Sequence, residues 1–143
     1  MDREQLLECA RAKDWESVTR DAPRLGNDLI EVMWAYSQGV YSPKSEERQV
    51  ALETLELSHH IPEEIWASLD QRLYGILDSA QSLPEKVFAA FVLAAHGRQV
   101  LDPKKQKSVE TVLFQATNSY RGLMQSTARE YLFRDVPSLR VSA

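Results

Sequence analysis

The sequence predicts an all-α protein, and three observations support this fold class. Apolar residues recur at spacings of three and four along most of the chain, which is the period of one helix face. Alternating β-branched residues are scarce, and only five glycines occur in 143 residues. Serine, aspartate and proline residues stand at regular intervals where helices would begin. We therefore expect a single domain, residues 1–143, with about eight short antiparallel helices and a C-terminal tail at 136–143.

The first two helices are predicted from caps and helix breakers. Asp2 and Gln5 have the spacing of a capping box, in which each residue bonds the other's backbone amide, so the first helix is expected at 3–12. Asp14 is a typical N-cap for a second helix. Pro23 predicts where that helix stops, because the residue before a proline disfavours the helical conformation.

The later helices are predicted from the same kinds of caps and helix breakers. The third helix is expected at 28–38, with Gly39 suited to a left-handed C-terminal cap. The helix that follows Ser82 is apolar around most of its circumference and rich in alanine, which predicts a position between other helices. The expected ranges of the last five helices are 45–60, 62–80, 82–97, 103–117 and 120–134.

Composition indicates a globular protein outside the membrane. The chain is 43% hydrophobic and 27% charged, which is an ordinary balance for a globular domain. The longest strongly apolar run, residues 87–95, is far shorter than the roughly 20 residues that cross a bilayer. The N-terminal segment contains acidic residues and no apolar signal region. Because the single cysteine, Cys9, cannot form an internal disulfide and agrees with a reducing compartment, we expect a cytoplasmic protein.

Charge is distributed unevenly along the chain. Residues 1–71 carry 15 acidic and 7 basic side chains, whereas residues 72–143 carry 6 acidic and 10 basic side chains. Such an asymmetry produces a field that steers a charged partner towards one end of a molecule. The alternative interpretation is that the solvated faces of the two halves simply differ in charge.

The stretch SHHIPEEIW contains two histidines and two glutamates within a few residues, and we interpret it as a turn. His59 and His60 would point about 100° apart on a helix, so they cannot converge on one ligand as histidines at i and i+4 do. Both histidines are expected in the last turn of the helix at 45–60. Glu63 and Glu64 are expected in the first turn of the next helix, where the helix dipole favours carboxylates.

No other pattern in the sequence indicates catalysis. His96 is expected at the end of the alanine-rich helix, before Gly97, where a cation or donor near the free carbonyls is favourable. The chain contains no nucleophile elbow, no zinc-protease motif, no P-loop and no dinucleotide fingerprint. We therefore expect a protein that is not an enzyme and that uses no cofactor and no metal ion.

A helix-pair period is visible in the second part of the chain. Ser45, Ser82 and Ser119 recur at intervals of 37, each expected to precede a helix, and apolar positions in the following helices match at intervals of 36. This spacing resembles HEAT-like repeats of the α-solenoid group over residues 42–135. The resemblance implies a right-handed α-α superhelix with a concave binding face and no catalysis of its own. A compact helical bundle is the alternative architecture.

A non-catalytic protein-binding module is the function that these observations favour. A toxin-neutralising immunity protein, an adaptor or a secretion chaperone would use the acidic half of the chain to dock a basic partner. Aromatic anchors with a polar rim dominate the energetics of such interfaces, although core packing is the alternative role of each aromatic residue. The expected partner-binding residues are Trp34, Tyr36, Tyr41, Glu46, Glu53 and Glu56.

Nucleic-acid binding through the basic half is the alternative function. A lysine cluster at a helix start opposes the helix dipole, and attraction to phosphate would explain it. The isoelectric point of 5.4 and the acidic half oppose this interpretation, so an anionic protein surface is an equally good target for the lysines. The sequence does not fix the oligomeric state. The candidate anion-binding residues are Lys104, Lys105, Lys107 and Arg121.

Overall fold

The computed structural model describes residues 2–38, 41, 44–58, 60–79, 82–96 and 103–135, and these residues form an all-α structure. This described part contains eight α-helices, one 3-10 turn and no strand, which confirms the predicted fold class. The helices are α1 (Arg3–Arg11), α2 (Trp15–Asp21), α3 (Asn27–Ser37), α4 (Ser45–Leu57), α5 (Glu63–Ser79), α6 (Leu83–His96), α7 (Pro103–Ser119) and α8 (Leu123–Asp135), and the 3-10 turn is Ala22–Arg24.

The chain divides into two compact units. Unit 1 comprises residues 1–69 and unit 2 comprises residues 70–143, so the division falls within α5. Unit 1 carries 14 acidic and 7 basic side chains, and unit 2 carries 7 acidic and 10 basic side chains. The charge asymmetry seen in the sequence therefore coincides with the two units.

The core of unit 1 is built from its first four helices. In this unit α3 packs against α4, α1 packs against α2 and α3, and α2 packs against α4. Three polar side chains are buried here, and each of their hydroxyls donates to a backbone carbonyl one turn earlier: Ser37 to Trp34, Thr54 to Val50 and Ser58 to Leu55. The largest fully buried apolar residues of unit 1 are Leu6, Val18, Ile30, Met33, Leu52, Leu55 and Leu69.

In unit 2, α6 packs against both helices of a hairpin formed by α7 and α8. The Gln125 Nε2 donates to the Thr117 carbonyl at 2.9 Å and links the two arms of the hairpin. The unbroken run of α6 from Ala89 to Ala94 is buried, as expected for a helix whose small side chains allow close approach. The Phe91 ring lies in this core and contacts the rings of Phe88 and Tyr131.

The predicted capping box at the start of α1 is confirmed. The Gln5 amide donates to the Asp2 carboxylate at 2.8 Å, and the Asp2 amide donates to the Gln5 side chain at 2.9 Å. Both bonds satisfy amides that have no partner within the helix. A side-chain pair three positions apart in the sequence thus fixes where the first helix begins.

The connection between α1 and α2 is a Schellman motif that uses a lysine in the left-handed conformation. The Lys13 amide donates to the Ala10 carbonyl at 3.1 Å, and the Asp14 amide donates to the Cys9 carbonyl at 2.8 Å. Lys13 has φ 59°, a conformation that glycine adopts most readily. Asp14 then caps α2, because its carboxylate accepts bonds from the amide and hydroxyl of Ser17.

Lys13→Gly is therefore expected to stabilise the protein by about 0.5–1 kcal/mol. The left-handed conformation costs about 1–2 kcal/mol for a residue with a Cβ, and the larger backbone entropy that glycine loses offsets part of this gain. The measurement is the free energy of unfolding in urea. Lys13→Ala is the control, since it removes the exposed side chain but keeps the Cβ. Equal stability of both variants and the parent chain would contradict this account.

Two helix boundaries differ by three residues from the sequence expectation. α4 ends at Leu57 rather than at residue 60, because Ser58 is extended (ψ 148°) and its hydroxyl bonds the Leu55 carbonyl that a longer helix would use. α8 begins at Leu123 rather than at residue 120, because the turn after α7 places Gly122 at φ 72°. Ser119 is the last residue of α7, so the prediction that it precedes a helix is wrong.

Candidate protein-binding surface in unit 1

Three aromatic side chains meet in unit 1 and form what we call the aromatic cluster, Trp15, Tyr36 and Tyr41. The Trp15 and Tyr36 rings contact edge to face, with their centroids 5.6 Å apart. The Tyr36 and Tyr41 rings lie 4.7 Å apart with their planes inclined by 34°. Tyr36 is buried at 5% exposure, whereas Tyr41 is 44% exposed, so the cluster leads from the core to the surface.

The positions of these rings follow from local structure. Trp15 is the first residue of α2, directly after the N-cap Asp14, and Tyr36 lies in the last turn of α3. Tyr41 belongs to the connection between α3 and α4, whose residues 39–40 and 42–43 lie outside the described part of the chain. The cluster therefore combines side chains from two helices and a connection, an arrangement that no single helical period predicts.

Charged side chains of α1 and α4 act on the Tyr36 hydroxyl of the aromatic cluster. Burial raises the pKa of the Tyr36 hydroxyl, the Glu47 carboxylate raises it further, and Arg11 acts in the opposite direction with a smaller effect. The negative charge of Glu47 therefore outweighs the positive charge of Arg11 at this hydroxyl. Glu46 and Glu47 occupy the first turn of α4, and neither forms an ion pair within the described residues. The sequence interpretation missed Trp15, Arg11 and Glu47.

The three predicted aromatic anchors differ in how deeply they are buried. Tyr36 belongs to the core, which is the alternative role that the sequence left open for it. Trp34 is half-buried on α3. Tyr41 is the one of the three that is exposed. Tyr41 is therefore partly open to solvent, and its ring packs on the buried Tyr36 ring.

The three predicted acidic residues all lie on α4. Glu46 is exposed at its start, and Glu53 follows about two turns later, roughly 10 Å along the axis and on the same side of the helix. Glu56 is half-buried near the C-terminal end of α4, turned by roughly 80° from that side. Of the three, Glu46 lies nearest to Tyr41 in the chain, and Glu53 and Glu56 extend the acidic character along the helix.

Glu53 is a half-buried carboxyl on α4. Burial raises its pKa above the ordinary value of 4.5 because desolvation disfavours the charged form. The folded state then binds the proton of Glu53 more tightly than the unfolded state does. As the pH rises from 4.5, the ordinary pKa, through the raised pKa of Glu53, the protein loses stability. Below pH 4.5 this loss of stability is absent, because the carboxyl is protonated in both the folded and the unfolded state.

Glu53→Gln is accordingly expected to raise the melting temperature at pH 7 and to have little effect at about pH 4, where the parent carboxyl is protonated. The measurement is thermal unfolding followed by circular dichroism at both pH values. Glu31→Gln, which changes an exposed carboxylate on α3, is the matched control. An equal change for Glu53→Gln at both pH values would show that desolvation of the charge is not the cause.

An open groove of about 570 Å³ lies along α1 and α2 of the same unit. Three carboxylates, those of Glu8, Asp14 and Asp21, line it beside one guanidinium, that of Arg20. The Arg20 side chain forms an exposed ion pair with Glu16 at 3.5 Å. The Ser17 hydroxyl and amide lower the pKa of Asp14, so this carboxylate is charged at neutral pH. The groove adds to the acidic character of unit 1.

The candidate anion-binding residues of unit 2 do not form one cluster. Lys104 and Lys107 are exposed near the start of α7, and the side chain of Lys105 lies outside the described part. Arg121 is exposed in the turn that follows the other end of α7. Because α7 has 17 residues and is about 25 Å long, Arg121 and the lysines are separated by most of that length.

Of the three histidines, the structure describes two, His60 and His96. His60 is exposed and lies outside α4, so its expected place in the last turn of that helix is wrong, and His59 lies outside the described residues. His96 is the last residue of α6, as expected. Within the described ranges, no group of three or more His, Cys, Asp or Glu side chains could hold a metal ion. No helix in that part is long and apolar enough to cross a membrane.

Comparison of the chain with models of protein families, with curated proteins and with solved structures found no match.

Proposed function

We propose that this chain is a non-catalytic protein-binding module whose unit 1 docks a basic protein partner around Tyr41. The observation that carries the proposal is the 44% exposed Tyr41 ring packed at 4.7 Å on the buried Tyr36 ring. An aromatic side chain that is held in place before binding loses little conformational freedom in the complex. Exposed aromatic rings of this kind are the usual energetic centres of protein interfaces.

The charge of unit 1 supports a basic partner. Its acidic side chains outnumber its basic ones by two to one, and the first turn of α4 presents Glu46 and Glu47 next to the connection that contains Tyr41. Complementary charge accelerates association and disfavours wrong partners. Toxin-neutralising immunity proteins, adaptors and secretion chaperones are the classes of protein that this proposal covers. The absence of catalytic motifs in the sequence supports the non-catalytic part of the proposal.

Tyr41→Ala is expected to weaken binding of the partner by about 2 kcal/mol, or roughly thirtyfold, as truncation of an interface centre does. The tagged protein would first capture its partner from the native lysate at low and high salt, and mass spectrometry would identify that partner. Titration calorimetry with the purified partner then gives the affinity of each variant.

Leu57→Ala is the matched control for this experiment. Leu57 lies in the same unit and has nearly the same exposure, 45%, but it is at the opposite end of α4 from Tyr41. We expect Leu57→Ala to leave the affinity unchanged and Tyr41→Ala to remain folded. Loss of folding in Tyr41→Ala, equal losses of affinity in both variants, or capture of nucleic acid instead of protein would each contradict the proposed function.

A further inference from the structure

The chemistry around Tyr41 identifies the kind of side chain that this surface accepts. The Tyr41 ring packs on the Tyr36 ring, and Tyr41 is exposed to 44%. One part of the residue therefore packs on the core while another part is open to a partner. The centre of an aromatic face carries partial negative charge, which attracts a cation placed above it.

Two carboxylates in the first turn of α4, the helix that follows Tyr41 in the chain, have the same preference. Glu46 is exposed, Glu47 is half-exposed, and neither is neutralised by an ion pair within the described part of the chain. Arg11 is the positive charge that acts on the Tyr36 hydroxyl, and its influence there is weaker than that of Glu47. An apolar partner side chain would use the ring but would gain nothing from these carboxylates. A cationic side chain would use both.

We infer that the occupant of this surface is an arginine or lysine side chain of the partner, stacked on the open part of the Tyr41 ring with its charge facing Glu46 and Glu47. This inference rests on the proposed function and names the chemistry of the contact. Arginine suits the site better than lysine, because its planar guanidinium can stack on the ring and still donate hydrogen bonds to a carboxylate.

A defined probe tests the inference without the native partner. The probe is a short fluorescent peptide in which arginine alternates with glycine, and its matched control replaces each arginine with citrulline, which has the same shape without the charge. Fluorescence anisotropy with the full chain gives both affinities. We expect the arginine peptide to bind, the citrulline peptide to bind at least several-fold more weakly, and high salt to weaken the arginine peptide.

Substitutions at Tyr41 distinguish a cation on the ring from an apolar contact. Tyr41→Phe keeps the aromatic face and is expected to keep the affinity for the arginine peptide. Tyr41→Leu keeps apolar bulk but removes the face, and it is expected to weaken binding about twofold to fivefold. The double variant Glu46→Gln, Glu47→Gln is expected to weaken binding and to reduce its dependence on salt.

Leu57→Ala again serves as the control and is expected to leave the affinity for the peptide unchanged, with circular dichroism confirming that every variant is folded. Absence of binding, equal binding of the two peptides, or full affinity in Tyr41→Leu would overturn the inference. These outcomes are separate from those that contradict the proposed function, because the proposed function is tested with the native partner and not with the peptides. If the native partner depends on Tyr41 but the arginine peptide does not, the proposed function stands. The contact at Tyr41 is then apolar and not cationic.

Discussion

Phe91→Ala is expected to lower the free energy of unfolding by about 3–5 kcal/mol, the range for loss of a buried aromatic side chain. Phe91 is 2% exposed on α6, and its ring lies 6.0 Å from that of Phe88 and 5.4 Å from that of Tyr131. The substitution removes the buried apolar surface and leaves a cavity where α6 and α8 pack together. Urea denaturation followed by circular dichroism measures the loss.

Phe114→Ala provides the control in the same unit and with the same change of residue. Phe114 is 44% exposed on α7, so its loss is expected to change stability by no more than about 0.5 kcal/mol. If Phe91→Ala does not fold at all, Phe91→Leu keeps most of the volume and should unfold at a lower urea concentration than the parent chain. Similar losses in Phe91→Ala and Phe114→Ala would mean that the α6 core does not determine the stability of unit 2.

The parts of the fold that the sequence predicts well are those that depend on neighbouring residues. The Asp2 capping box, the Asp14 N-cap and the start of α7 at Pro103 follow from chemistry within one helical turn. The burial of α6 is also predictable, because apolar and small residues cover most of its circumference. In each case the information lies within a few residues of the feature it determines.

The parts that the sequence does not predict depend on backbone conformation or on distant neighbours. Lys13 adopts the left-handed conformation although its side chain disfavours it, because the hydrogen bonds of the Schellman motif hold it there. α8 begins three residues later than the sequence predicts, since serine at 119 has the same preference for caps whether or not a helix starts there. The division within α5 carries no proline or change of periodicity that would mark it.

The HEAT-like resemblance stays a prediction. The apolar positions that match at intervals of 36 are buried in both helices, as in the pairs Leu73 with Val109 and Ile76 with Val112. Buried apolar positions at regular spacing are equally typical of a helical bundle, so they do not distinguish the two architectures. The third member of the serine period, Ser119, ends a helix instead of preceding one.

The candidate site was only partly predictable for a related reason. α3 is apolar on more than one face, so its period does not tell which aromatic residue is buried and which is exposed. α1 and α4 pack against α3, and Trp15 of α2 contacts the buried Tyr36 ring, so the burial of Tyr36 depends on other helices and not on the period of α3. The same packing brings Trp15 into the cluster, and no local pattern connects it with Tyr41.

Tyr36→Ala is expected to lower the free energy of unfolding by about 3–5 kcal/mol, as for other buried aromatic side chains. Tyr36 is 5% exposed and is the ring that both Trp15 and Tyr41 contact, so its removal disrupts both contacts of the aromatic cluster. Tyr41→Ala removes one contact at the surface and is expected to cost about 1 kcal/mol. Urea denaturation of the two variants, measured side by side, gives the difference.

Comparison of Tyr36→Phe with Tyr36→Ala distinguishes two roles of the Tyr36 ring, which are to hold Tyr41 in place and to stabilise unit 1. Tyr36→Phe keeps both ring contacts and loses only the hydroxyl, so stability should change by less than about 1.5 kcal/mol and partner binding should persist. Tyr36→Ala, measured at a temperature where it is still folded, should lose affinity although Tyr41 is present, because the ring that holds Tyr41 in place is gone. Full affinity in the folded Tyr36→Ala protein would show that Tyr41 binds its partner without that support.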